Sequence, residues 1–241
     1  MTHGEPPARG HVVLHSLAVR DLSTSCIAAL AGVLSSEETA RADRFRFAAD
    51  RVSYIAAHAL LRRLLAAHGV PEPHFVLGPW GKPELAGPAA RLRFSVTHTR
   101  TLVAGAVAFV DDLGIDAEAI GAEIDILPLA ARFFAPVEAA ALHALPIPER
   151  AAAFCQMWTL KEAFVKALGL GLSQPLDSFA FAGPDRFSCD AVLGDPQAWS
   201  FQSRATETGC YLAVALRRPR DPGMVLHHTA MTAADANNIP A

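Results

Sequence analysis

Two short stretches carry acidic and basic side chains at spacings that could do chemistry. In "GIDAEAI", Asp116 and Glu118 stand two apart, which on a strand puts both on one face while Ile115 and Ala117 turn away. Adjacent carboxylates repel unless a cation lies between them. A hard dication such as Mg²⁺, which favours a few carboxylates with phosphate oxygens and water, is one solution; a solvated strand face is the other. In "WTLKEAFVKALGLGL", beginning at Trp158, the residues Trp158, Glu162 and Lys166 stand four apart and share one helical stripe. A second stripe, Leu160, Ala163, Phe164, Ala167 and Leu168, has the spacing of a buried face. The charged stripe reads either as an exposed i,i+4 pair worth about 0.2–0.5 kcal/mol or as groups placed for chemistry.

Cations that could meet an anion come earlier in the chain. "GKPEL" sets Lys82 between Gly81 and Pro83 in a tight turn, where its ammonium is either incidental or a point charge for phosphate. "FSVTHTR" places His98 beside Thr97 at a strand end, as a structural histidine or as a donor to a phosphate oxygen. The arginines between positions 41 and 51, Arg44 and Arg51 among them, are a solvated helix face or an anion-binding patch.

The elements that must position these groups follow from periodicity and stop signals. "HVVLHSLAV" is expected as a first strand. Ser35-x-x-Glu38 is a capping box opening a helix, and "DRVSYIAAHALLRRLLAAHG" is a long helix closed by Gly69 and Pro71. "RLRFSVTH" and "LVAGAVAFV" form an expected hairpin, followed by a turn and the short strand holding Asp116 and Glu118. "LPLAARFF" and "APVEAAALHAL" are expected helices, then a helix from about 148 to 168 stopped by Gly169 and Gly171. Strands are expected near 177–182, 198–204 and 210–217, and from Arg218 onward a loosely held tail. Helices beside antiparallel strands in both halves make the fold class α+β. The expected division is 1–110, 111–217 and a tail, 218–241.

The chain has 241 residues, 51% hydrophobic and 19% charged, a balance that permits a sizeable core and excludes a disordered chain. A net charge of −3 gives no global electrostatic case for nucleic acid. Cys26, Cys155, Cys189 and Cys210 are scattered without metal-ligand spacing, as reduced thiols of a cytoplasmic protein would be. No apolar run approaches the ~20 residues that span a bilayer, and no secretion signal opens the chain. His227 and His228 are expected to be solvated in the tail.

The order GKP, S-V-T-H-T, G-I-D-A-E, W-x-x-K-E-A-x-x-K-x-x-G-x-G-L resembles the Sfp-type 4′-phosphopantetheinyl transferases from about Arg41 to about Phe181, with "RFF" (132–134) and "PLDSF" (175–179) included. Three positions depart from the family pattern: Ser95 and Thr97 stand where Asn and Ser are usual, and Ala117 where Ile or Val is usual. The resemblance implies two similar α+β halves related by a pseudo-two-fold, each a small antiparallel sheet with a long helix, and an active site in the cleft between them. It implies Mg²⁺-dependent transfer of 4′-phosphopantetheine from coenzyme A, as co-substrate, to a serine of an acyl or peptidyl carrier protein. Asp116, Glu118 and Glu162 would hold the metal, and Glu162 and Lys166 would be catalytic. Arg44, Arg51, Lys82, Pro83, Thr97, His98, Lys161 and Lys166 would bind coenzyme A, with Lys161 reaching phosphate or substrate from a neighbouring face. Trp158 is expected to pack the helix against the second sheet. The carrier would be a transient partner of a monomer. Two rival readings are a metal-dependent hydrolase of coenzyme A or a nucleotide, and a non-catalytic coenzyme A-binding module.

Overall fold

The computed structural model describes residues 4–20, 22–121 and 125–237. It is a mixed α+β protein of two compact units, one made of residues 4–77, 83–111 and 225–237, the other of residues 78–82 and 112–224. Among the described residues no helix is long and apolar enough to cross a membrane.

The first unit contains β1 (His11–Ala18), α1 (Thr24–Ala31), α2 (Ser36–Ala42), α3 (Ala48–Ala67), β2 (Phe75–Leu77), β3 (Pro83–Leu85), β4 (Leu92–His98) and β5 (Leu102–Phe109). β5 lies inside the sheet, paired antiparallel with both β1 and β4. Gly105 lets α3 pack directly upon it, a Cβ there lying 3.8 Å from Leu61 Cα, and Val103 and Val107 on the same face are fully buried. Ser35 and Glu38 make the expected capping box at α2: the Ser35 hydroxyl accepts from the Glu38 amide and the Glu38 carboxylate from the Ser35 amide.

The second unit contains β6 (Leu113–Ala119), α4 (Ile126–Phe133), α5 (Pro136–Ala144), α6 (Ile147–Leu168), β7 (Phe179–Phe181), β8 (Phe187–Cys189), β9 (Ser200–Ala205) and β10 (Cys210–Leu216). β6, β10 and β9 form an antiparallel three-stranded sheet in that order. α6 lies across it, and its buried face carries Leu160, Ala163, Phe164 and Ala167. Phe164 sits among Phe179, Phe187, Trp199 and Phe201, with ring centroids 4.8–6.0 Å away. Gly169 ends α6 at φ +73°, the left-handed conformation that a side chain disfavours.

The chain then returns to the first unit through β11 (Val225–Met231) and α7 (Ala233–Asn237). β11 pairs parallel with β1, from His11↔Val225 to Leu17↔Met231. The expectation of a loose tail from Arg218 is therefore corrected, with 238–241 lying outside the described residues. "VLHHTAM" misleads because an edge strand buries little, so it carries no apolar alternation. The histidines are bound as well: His227 Nε2 lies 2.8 Å from His11 Nδ1, and His228 Nε2 lies 2.7 Å from Ser16 Oγ.

Candidate active site

Everything at this site follows from how closely β6 approaches α6. A Cβ built on Gly114 would lie 2.0 Å from the Ala163 carbonyl oxygen and 2.4 Å from the Ala167 amide nitrogen, so only glycine lets the two backbones meet. Two residues beyond Gly114, Asp116 is buried on β6, and Ala117 faces the opposite way into the core. From α6, Lys166 Nζ reaches Asp116 Oδ1 at 2.6 Å. Glu162 lies one turn before Lys166 on the same helix face. Glu118 follows Asp116 on the strand and, unlike it, is exposed.

The electrostatics tie these four groups together. Burial pushes the Glu162 carboxyl above its ordinary pKa; Asp116 adds to the rise, and Lys166 opposes it. Glu118 is raised too, although its side chain is exposed: the protein around its carboxyl displaces some of the water, and Asp116 and Glu162 add to the rise while Lys166 opposes it. Three carboxylates against one ammonium leave two negative charges when all are ionised. The donor set thus fits a hard dication by type and by charge. Its geometry is a different matter: among the described residues no three such side chains form a group arranged to hold a metal ion, and Lys166 occupies Asp116.

Lys82 also belongs to the second unit. Its Nζ donates to the Leu113 carbonyl at 3.1 Å and to the Ala167 carbonyl in the last turn of α6 at 3.3 Å. The stem runs past Gly169, where an added Cβ would meet Lys82 Cδ at 3.2 Å. The Lys82 side chain is thus packed on the glycine turn of α6. Pro83 belongs to the first unit and opens β3, exposed.

Four other expected site residues, Thr97, His98, Arg51 and Arg44, belong to the first unit. Thr97 is buried and His98 exposed at the end of β4, and the turn after them is tied to α3 by Ser53 Oγ donating to the Thr99 carbonyl at 2.9 Å. Near the start of α3, Arg51 pairs with Asp43 at 2.8 Å, and Arg100 of the turn pairs with Asp50 at 3.4 Å. Arg44 is exposed just after α2.

Two expectations are corrected. Lys161 does not reach for phosphate: it is fully buried, and its ammonium donates at 2.7 Å to Glu138 Oε2 and to the carbonyls of Leu176 and Phe179. Burial pulls its pKa below the ordinary lysine value, against the pull of Glu138. Trp158 packs not on the sheet but among Phe133, Phe134 and Phe154, at centroid distances of 5.7–6.1 Å, on the α4–α5 side of α6. Glu138 itself was missed. Its place at the third position of α5 reads as an ordinary capping acid, and its amide contact with Ala135 is that cap. The available signal was a lysine inside an apolar helix, which needs a buried partner.

A profile described as the 4′-phosphopantetheinyl transferase superfamily matches residues 112–215, the stretch that holds Asp116, Glu118, Glu162 and Lys166. The chain is 34% identical over 192 residues to the 4′-phosphopantetheinyl transferase HetI of Nostoc sp., covering 78% of this chain and 80% of the relative. It is 31% identical over 194 residues to the 4′-phosphopantetheinyl transferase psf-1 of Bacillus pumilus, covering 77% and 80%. Over 70 residues it is 40% identical to the 4′-phosphopantetheinyl transferase Sfp of Bacillus subtilis, covering 27% and 31%.

Proposed function

This chain belongs to the 4′-phosphopantetheinyl transferase family, and we propose that it moves 4′-phosphopantetheine from coenzyme A to a serine hydroxyl of an acyl or peptidyl carrier protein. In this reaction a bond forms between the serine oxygen and the phosphorus bearing pantetheine, and adenosine 3′,5′-bisphosphate leaves. The observation that carries the reading is the cluster of Asp116, Glu118, Glu162 and Lys166 across β6 and α6, built on Gly114.

Asp116, Glu118 and Glu162 are the residues that would hold Mg²⁺, which when bound supplies positive charge to the diphosphate. Lys166, 2.6 Å from Asp116, offsets negative charge on the leaving phosphate. Glu162 is the proposed acceptor of the serine proton, from its place one turn before Lys166 on the helix face that meets Asp116. Arg44, Arg51, Thr97 and His98 are proposed to bind the phosphates of the nucleotide end. Lys82 adds positive charge from a turn whose shape Pro83 helps to fix.

The test is one incubation of protein, Mg²⁺, coenzyme A and apo-carrier, read by mass spectrometry of the carrier. A transferase adds one phosphopantetheinyl group per carrier. Breakdown of coenzyme A with an unmodified carrier would replace the reading with a hydrolase, and binding without either product would replace it with a binding module.

A further inference from the structure

A lysine without exposed surface is costly to keep charged, and Lys161 has none. Its ammonium can donate three hydrogen bonds, and it has three acceptors at 2.7 Å: Glu138, Leu176 and Phe179. Glu138 is 2% exposed and equally committed. Besides Lys161 it accepts from the Phe181 amide at 2.8 Å and from the Ala135 amide at 2.9 Å. One buried pair thus ties the start of α5, the middle of α6 and the segment following the glycine turn.

Such a pair is a weak source of stability, since well-packed apolar replacements are often neutral or better. Directional bonds supply something apolar contact does not, a single rotational setting for the helix. Lys161 immediately precedes Glu162, and neighbouring side chains on a helix diverge by about 100°. Holding Lys161 toward α5 and β7 therefore aims Glu162 along the stripe where Lys166 meets Asp116. The Gly114 contact sets how near α6 lies to β6, and the rings around Phe164 hold the helix by apolar contact, which is less directional than the Lys161 bonds.

We propose that Glu138 is a positioning residue: acting through Lys161, it fixes the roll of α6 and so the aim of Glu162 at the β6 carboxylates. The proposal rests on the transferase reading above. Neither Glu138 nor Lys161 touches the reacting atoms.

The test uses the full chain carrying Glu138→Leu with Lys161→Met. Three quantities are read: thermal melting, kcat and KM for coenzyme A in carrier modification, and Mg²⁺ affinity by calorimetry without coenzyme A. The expected result is a cooperative melt at a lowered temperature, because four buried backbone groups lose their partners; below that temperature kcat is lowered about tenfold to a hundredfold, as a misplacement of order 1 Å produces, with KM within about twofold and weakened Mg²⁺ binding. Unchanged kcat and Mg²⁺ affinity would overturn the proposal. So would unchanged kcat with a raised KM, which would make Lys161 a direct ligand of coenzyme A. If the double variant does not fold, Glu138→Gln, which keeps an acceptor for the Phe181 amide, is read the same way. Failure of both to fold overturns the proposal too, because the pair would then be a plain structural requirement. Wild-type protein that binds Mg²⁺ but transfers nothing fails the transferase reading alone, and the Mg²⁺ titrations still decide on Glu138. Wild type that does neither removes the reading on which the proposal stands.

Discussion

Replacing Gly114 by alanine adds one methyl group to a strand interior, a change that is normally mild. Here the new carbon would start 2.0 Å from the Ala163 oxygen, 2.4 Å from the Ala167 nitrogen and 3.0 Å from the Lys166 carbonyl carbon. All three neighbours are helix backbone, so no side chain can swing aside. Even a barely tolerable 3.0 Å contact requires β6 and α6 to part by 3.0 − 2.0 = 1.0 Å. Gly114 is not in the left-handed region, so the cost is steric rather than conformational. Overpacking by a methylene costs about 1–3 kcal/mol, and a clash with rigid backbone belongs at the upper end. In a chain of this size that lowers Tm by about 6–12 °C. The same displacement pulls Asp116 from Lys166, now 2.6 Å apart, and moves Glu162 away from Glu118. A misplacement of this order is expected to slow turnover by about 10²-fold. The assay pairs a thermal melt with carrier modification at saturating coenzyme A and Mg²⁺, well below the lowered Tm. Alanine at 114 with normal turnover would refute the reasoning, because the site would not depend on the close approach.

Glu162→Gln is expected to lose turnover that added Mg²⁺ does not restore, whereas Lys166→Ala should still bind Mg²⁺ by calorimetry while turning over about 10²-fold more slowly. Near-normal turnover in both would leave Lys166 and Asp116 as a structural ion pair with no part in transfer. At Glu38, burial alone would raise the carboxyl, but hydrogen bonds from His58, the Ser35 amide and Arg62 outweigh it and hold the pKa at about 2, against 4.5 unperturbed. A depressed carboxyl stabilises above its unfolded pKa, so about 2–3 kcal/mol, discounted for solvent screening, should be lost as pH falls from about 4.5 to 2. Urea melts of wild type and Glu38→Gln across that range check this; parallel curves would refute it. Deleting residues 225–241 removes β11 from β1 and should lower the melting temperature by at least about 10 °C or abolish soluble protein; an unchanged melt would refute a structural role for that strand.

Much of the fold was legible because its signals are local. The apolar stripe and glycine stop marked α6 to within a residue or two, and the capping box marked α2. Asp116 and Glu118 were legible as a pair because strand alternation is geometric. What stayed hidden depends on partners distant in sequence. A lysine reads the same whether it faces solvent or, like Lys161, a carboxylate 23 residues away, 161 − 138 = 23. The packing of Trp158 against Phe133 and Phe134 needed the path of α4 and α5, which periodicity does not give. β11 is held by pairing and by His227 and His228, neither of which leaves an apolar pattern to read.

That last strand also bears on how the molecule is made. A ribosome extrudes β1 early and β11 some two hundred residues later, yet the two lie side by side in one sheet. Every strand of the second unit emerges in the interval. The nascent second unit can therefore complete its core, including the Gly114 contact and the buried Lys161, while β1 still presents an open edge. The first unit finishes last although it begins first. During synthesis the edge of β1 is the surface a chaperone would have to shield, and a slow step in refolding from denaturant should belong to the joining of β11, the contact between the most widely separated strands.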